Sequence, residues 1–89
     1  MHMAIAKKNV VPKSAENPIS YLMDKGVEVL DLATAWKFKQ TETVYRLRRF
    51  AHVPSYATAE RMATTFGWDS AGEVMDFWSE RVNKKGRTA

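Results

Sequence analysis

Apolar residues recur along this chain at helical spacing, in runs only long enough for small helices, and a glycine, a proline or a break in period bounds each run. Ile19, Leu22 and Met23 keep the i, i+3, i+4 spacing, and Gly26 stops them after Lys25. Asn17-Pro18 opens the run as a cap and a first-turn proline, predicting a first helix over 18–25. Val27, Leu30, Ala33 and Ala35-Trp36, with Leu32 beside them, predict a second helix over 28–36. The pattern breaks around 37–40. It resumes at Val44, Leu47 and Ala51, predicting a third helix over 41–49 with Thr41 as its cap. Pro54-Ser55 opens a fourth, with Ala59, Met62, Ala63 and Phe66 as its stripe and Gly67 as its stop. Ser70-Ala71-Gly72-Glu73 has the form of a capping box. After it, Ala71, Val74, Met75, Trp78 and Val82 predict a fifth helix over 70–82. No strand-like alternation of useful length occurs. The expected fold class is all-α, a compact five-helix domain over 17–82.

The flanks read differently. Residues 1–16 lack periodicity and carry Lys7, Lys8 and Lys13, and Pro12 cuts off the apolar pair Val10-Val11. A flexible basic arm is expected there, with Met1-His2 ahead of Met3 read as a cloning addition. Residues 83–89, with Lys84, Lys85 and Arg87, are expected to fray as a basic tail. An 89-residue chain has room for one ordinary core.

Composition removes several chemistries. Without cysteine there is no disulfide framework, thiol nucleophile or thiolate zinc site. Two histidines, His2 and His52, supply a metal site poorly. No Ser-His-Asp set or phosphate loop is evident. Asp69, Glu73, Asp76 and Glu80 lie on or just before the fifth helix and read as solvated charges, not as a catalytic pair. No enzyme activity, cofactor or metal is expected. No apolar run approaches the roughly 18 residues of a membrane span, and no signal-peptide core is seen, so a cytoplasmic location is expected.

The net charge of +4 is unevenly spread. The stretch 37–49 holds Lys37, Lys39, Arg46, Arg48 and Arg49 against Glu42, which suggests a polyanion partner. On the third helix Val44 and Leu47 turn to the core, so Glu42, Tyr45, Arg46 and Arg49 share the outer face. Such a face can enter the major groove, where Arg pairs with guanine and basic side chains neutralise phosphate. The plainer alternative is a solvated helix face. Trp36, Trp68 and Trp78 fall on or beside apolar stripes, so core packing is expected rather than stacking on single-stranded bases.

In their order and spacing these residues resemble the lambda-repressor-like helix-turn-helix family, which includes phage repressors, Cro proteins and bacterial regulators. The resemblance spans about 19–78. It rests on Gly26 after the first helix, Leu32-Ala33 and Trp36 in the second, Val44 and Leu47 in the third, and Pro54-Ser55 through Phe66-Gly67 in the fourth. It implies a sequence-specific, double-stranded DNA-binding transcription regulator in a bacterial host cell or nucleoid, most like a Cro-like or phage-type repressor. The implied DNA contacts are Lys37, Lys39, Gln40, Thr41, Glu42, Tyr45, Arg46, Arg48, Arg49 and His52. Three departures stand out. Val29 replaces the family's backbone-binding Gln, Lys37 stands where its turn carries Gly, and one extra residue separates Trp36 from Val44. Loss of the Gln and the Gly leaves open a protein-interaction adaptor on the same scaffold, and an architectural or recombination accessory protein that binds DNA to shape it is a separate alternative.

A homodimer on DNA is expected, because one helix reads few base pairs. Phe77 falls away from the apolar stripe of the fifth helix, next to Arg81, and these two residues are the expected interface. The alternative is that Phe77 folds back onto the first helix or the N-terminal arm.

Overall fold

Five helices form where the stripes predict them: α1 (Pro18–Asp24), α2 (Val29–Ala35), α3 (Glu42–Arg48), α4 (Tyr56–Phe66) and α5 (Ala71–Thr88). The computed structural model describes the backbone of residues 10–88 and the side chains as far as Lys84. Among the described residues there is no strand. α4 and α5 form the largest helix–helix interface, while α3 packs on both α1 and α2.

The helix starts follow local chemistry. Asn17 Oδ1 accepts from the Ser20 amide at 3.1 Å, and Pro18 occupies the first turn. Ser55 Oγ accepts from the Thr58 amide at the head of α4. At α5, Ser70 Oγ accepts from the Glu73 amide, and Glu73 Oε1 accepts from the Asp69 amide at 3.0 Å. The capping box is thus present, with its return bond one residue early. Thr41 departs from expectation: it sits at the N-cap of α3 in helical conformation, and its side chain makes no capping bond.

The helix ends share one device. In the Schellman arrangement the first residue past the cap turns left-handed, and two amides reach back to the last carbonyls. α1 does this with Gly26 (φ 98°), whose amide and that of Val27 donate to the Met23 and Leu22 carbonyls. α4 does it with Gly67 (φ 77°), and the Gly67 and Trp68 amides reach Thr64 and Ala63. α2 and α3 end the same way on Lys37 (φ 62°) and Phe50 (φ 58°). Lys37 and Phe38 donate to Thr34 and Ala33; Phe50 and Ala51 donate to Leu47 and Arg46.

These endings correct two apolar assignments. Ala51 does not extend the α3 stripe; it is exposed, and Phe50 turns inward, 5.4 Å from the Trp78 ring. Leu30 is 64% exposed, and Leu32 is fully buried in its place. The reason is phase: Val27 belongs to the end of α1, so Leu32, Ala33 and Trp36 alone define the inner face of α2.

The core centres on Phe66. Its ring lies edge-on to Trp36 (5.9 Å), tilted against Trp68 (5.2 Å) and stacked on Trp78 (6.0 Å, 4° between planes). All three tryptophans are buried. Each indole N–H still finds an acceptor, as buried donors must. Trp36 donates to Thr65 Oγ1, Trp68 to the Val11 carbonyl and Trp78 to the Leu47 carbonyl, all at 2.8–2.9 Å.

The flanks also differ from expectation. Residues 10–16 are not a loose arm. Val11 is 1% exposed, its amide donates to the Phe66 carbonyl, and its carbonyl takes the Trp68 indole bond. Val10 lies over Gly67, where a Cβ would come within 2.9 Å of it. Lys13 bridges to Glu73 at 2.6 Å. A two-residue apolar pair has no period to read, so burial decided by distant partners left no mark in the pattern. Lys7 and Lys8 lie outside the described residues. At the other end α5 continues to Thr88, past its expected end at 82. α5 runs through Asn83 and Gly86, residues that commonly end a helix, and the basic residues there suit a helix C-terminus.

The stranded aromatic is corrected as well. Phe77 is half-buried among Phe50, Trp68 and Trp78, with the Arg81 guanidinium 3.4 Å above its ring. Its cover comes from its own chain, so it supplies no reason for an interface.

Residues 10–16 thus form a strap tied to Phe66, Trp68 and Glu73, and two outcomes test it. Trp68→Phe keeps an aromatic ring but deletes the bond to Val11; it should cost about 1–3 kcal/mol and speed exchange of the Val11 amide. Unchanged exchange there would show that this bond does not hold the strap. The second outcome concerns pH. The Lys13 hydrogen bond holds the Glu73 carboxyl below its ordinary value, and Glu73 raises Lys13. The pair's contribution is therefore full between the two ordinary values. It is lost as pH falls through the lowered Glu73 value, or rises through the raised Lys13 value. A carboxyl titration by NMR should place Glu73 below an unpaired glutamate, and Lys13→Met should remove most of that shift.

Candidate nucleic-acid interface

The interface candidates sit on α3 and the turns that flank it. Val44 and Leu47 are both 0% exposed, and the Trp78 indole bond to the Leu47 carbonyl ties this helix to α5. With that face locked, the other side of α3 is fixed outward. Glu42, Tyr45, Arg46 and Arg49 are exposed, as the spacing predicts. Thr41 is half-buried at the helix start.

The outer residues are not equivalent. Arg46 makes an i, i+4 ion pair with Glu42 at 3.4 Å, with both side chains more than half exposed. Exposed pairs of this kind contribute little, about 0.3–0.5 kcal/mol on a helix, so Arg46 can exchange its partner for a stronger anion. Arg49 occupies the C-cap, its amide bonded to the Tyr45 carbonyl. Tyr45 is 38% exposed, leaving its ring half supported by the protein. Arg48 differs from its neighbours. It lies toward α1, and its Nε donates to Ser20 Oγ at 2.9 Å. Its phase on the helix is near that of Val44, so this exposed side chain lies at the α1 edge of the outer face.

In the α2–α3 turn Phe38 folds inward and is half-buried. The Phe38 ring lies edge-on to Trp36 at 6.1 Å. Lys37, Lys39 and Gln40 are left exposed on the turn. His52 is exposed in the loop between α3 and α4. Sequence reasoning missed Phe38 and Phe50. Both lie a few residues past a helix end, where the 3.6-residue period no longer applies. It also read Asn17 only as a cap, although its Nδ2 donates to the Arg48 carbonyl at 2.8 Å.

Lys37 stands in the left-handed region, with φ 62°, where a glycine would carry no strain. Among the described residues, no group of three or more His, Asp or Glu could hold a metal ion, and no helix is long and apolar enough to cross a membrane. No family model, curated protein or solved structure matches this chain.

Lys37→Gly should stabilise the fold by up to about 1 kcal/mol, the left-handed penalty less glycine's larger unfolded-state entropy. Urea denaturation reads this as a higher midpoint with an unchanged slope. A lower midpoint would mean that the Lys37 side chain contributes more to the turn than its backbone strain removes.

Proposed function

We propose that the protein is a sequence-specific double-stranded DNA-binding regulator, a helix-turn-helix domain of lambda-repressor-like type closest in kind to a Cro-like or phage-type repressor. It acts without catalysis, in the cytoplasm or nucleoid of a bacterial cell. One observation carries the reading: α3 buries Val44 and Leu47 completely and turns Tyr45, Arg46 and Arg49 outward. A short helix held this way can present two guanidinium groups and a phenol to base edges. Lys37, Lys39 and Gln40 before it, and His52 after it, are exposed on the flanking turns, where phosphate contacts set register without reading sequence. Two copies on a palindromic site would double this small contact area. The Phe77 ring, packed under Arg81, is no longer a stranded aromatic that argues for where two copies would meet.

A second reading, a protein-interaction adaptor, is favoured by Leu30 and Tyr56, apolar side chains 64% and 63% exposed. The two readings separate in one experiment. Selection from a random DNA pool, followed by gel shift at two salt concentrations, should return a defined site whose affinity falls steeply with salt. Absence of DNA binding at both concentrations would sink the regulator and leave the adaptor. On the selected site Arg46→Ala should cost roughly 1–3 kcal/mol, and much less on random DNA. Equal losses on both would make Arg46 a phosphate contact. Neutralising Lys84, Lys85 and Arg87 should weaken binding to all sequences alike and flatten the salt slope by about 0.9 for each phosphate that is no longer neutralised. A slope unchanged by that substitution would leave these charges with no part in binding.

A further inference from the structure

We propose that Asn17 is a positioning residue for α3, its single amide joining the start of α1 to the end of the recognition helix. The inference rests on the DNA-binding reading above. The last carbonyls of a helix have no partner within it. In α3 those of Tyr45, Arg46 and Leu47 receive the amides of Arg49, Ala51 and Phe50. The Arg48 carbonyl receives Asn17 Nδ2, at 2.8 Å and 31 residues away in sequence. The same side chain's Oδ1 accepts from the Ser20 amide and caps α1. A planar amide thus spans the two helices, so the α1 start and the α3 end hold one spacing. Ser20, one turn on, accepts from Arg48 Nε at 2.9 Å and adds a second tie. Backbone and side chain of Arg48 are both held by the first turn of α1.

The tie sits at the end of α3 that carries Arg46 and Arg49. Base readout tolerates little misplacement of such donors, and a supporting shell that is slightly loose lowers specific binding before it lowers stability. The chemistry is particular to asparagine. Serine or aspartate caps a helix equally well, but serine is too short to reach a second helix while capping, and aspartate has no donor.

That difference gives the test. Asn17→Ser keeps the cap and loses the tie; Asn17→Ala loses both. Both variants should bind the selected site about 2- to 10-fold more weakly, the effect of one missing hydrogen bond. Binding to random DNA and the salt slope should stay at wild-type values. Asn17→Ala should also melt earlier than Asn17→Ser. Independently of DNA, the amides of Arg49, Phe50 and Ala51 should exchange faster in Asn17→Ser. Wild-type exchange at those three amides, or equal weakening on selected and random DNA, would overturn the proposal. Should the wild-type protein bind no DNA, the functional reading is what fails, and the exchange rates alone decide whether Asn17 holds α3.

Discussion

The fold depends on one ring, Phe66, and on the three indoles that meet it. Each indole is apolar enough to fill the core and polar enough to need an acceptor. Trp36 finds its acceptor on α4, Trp68 on the N-terminal strap and Trp78 on α3. Three segments are thereby fixed to one hub by directional bonds, not by apolar packing alone. Among the described residues no buried side-chain nitrogen or oxygen lacks a partner. In a core this small, an unpaired donor would offset much of what the aromatic burial contributes.

The hub reaches the candidate site through Trp78. Its bond to the Leu47 carbonyl sets the depth of α3 against α5, and burial of Val44 and Leu47 sets its rotation. Asn17 and Ser20 then hold the next residue, Arg48, from the α1 side. α3 itself has seven residues and no side-chain cap, so little of its stability is local. Its orientation is borrowed from α1 and α5, and the outward set of Tyr45, Arg46 and Arg49 follows from that orientation.

Phe50 shows how tertiary packing overrides local preference. A bulky residue at φ 58° is strained. The ring is nonetheless placed beside Trp78 and Phe77, with the Arg81 guanidinium 6.0 Å from its centre. Partial burial of this ring, a share of the roughly 1.5–3 kcal/mol of a fully buried phenylalanine, together with its aromatic contacts offsets the roughly 1–2 kcal/mol of a left-handed residue. Lys37 has no such burial, which is why it is the better site for glycine.

The chain's own pattern determined the number and order of the helices, most of the core and the outward face of α3. Periodicity and caps are local, and Val44, Leu47, Asn17, Ser55 and Ser70 state them within a few residues. The family resemblance came from the same spacing and stands as an expectation. What tertiary structure alone decided lies where no period exists. Val11 is core because Phe66 and Trp68 bond it across more than fifty residues. Arg81 beside Phe77 is legible on the wheel of one helix, but Phe50, which closes the other side of the ring from beyond the end of α3, is not. Arg48 is tied to α1 because Asn17 and Ser20 reach it from another helix. Hydrogen bonds between distant segments leave no periodic signal, since either partner alone looks like an ordinary polar or apolar residue.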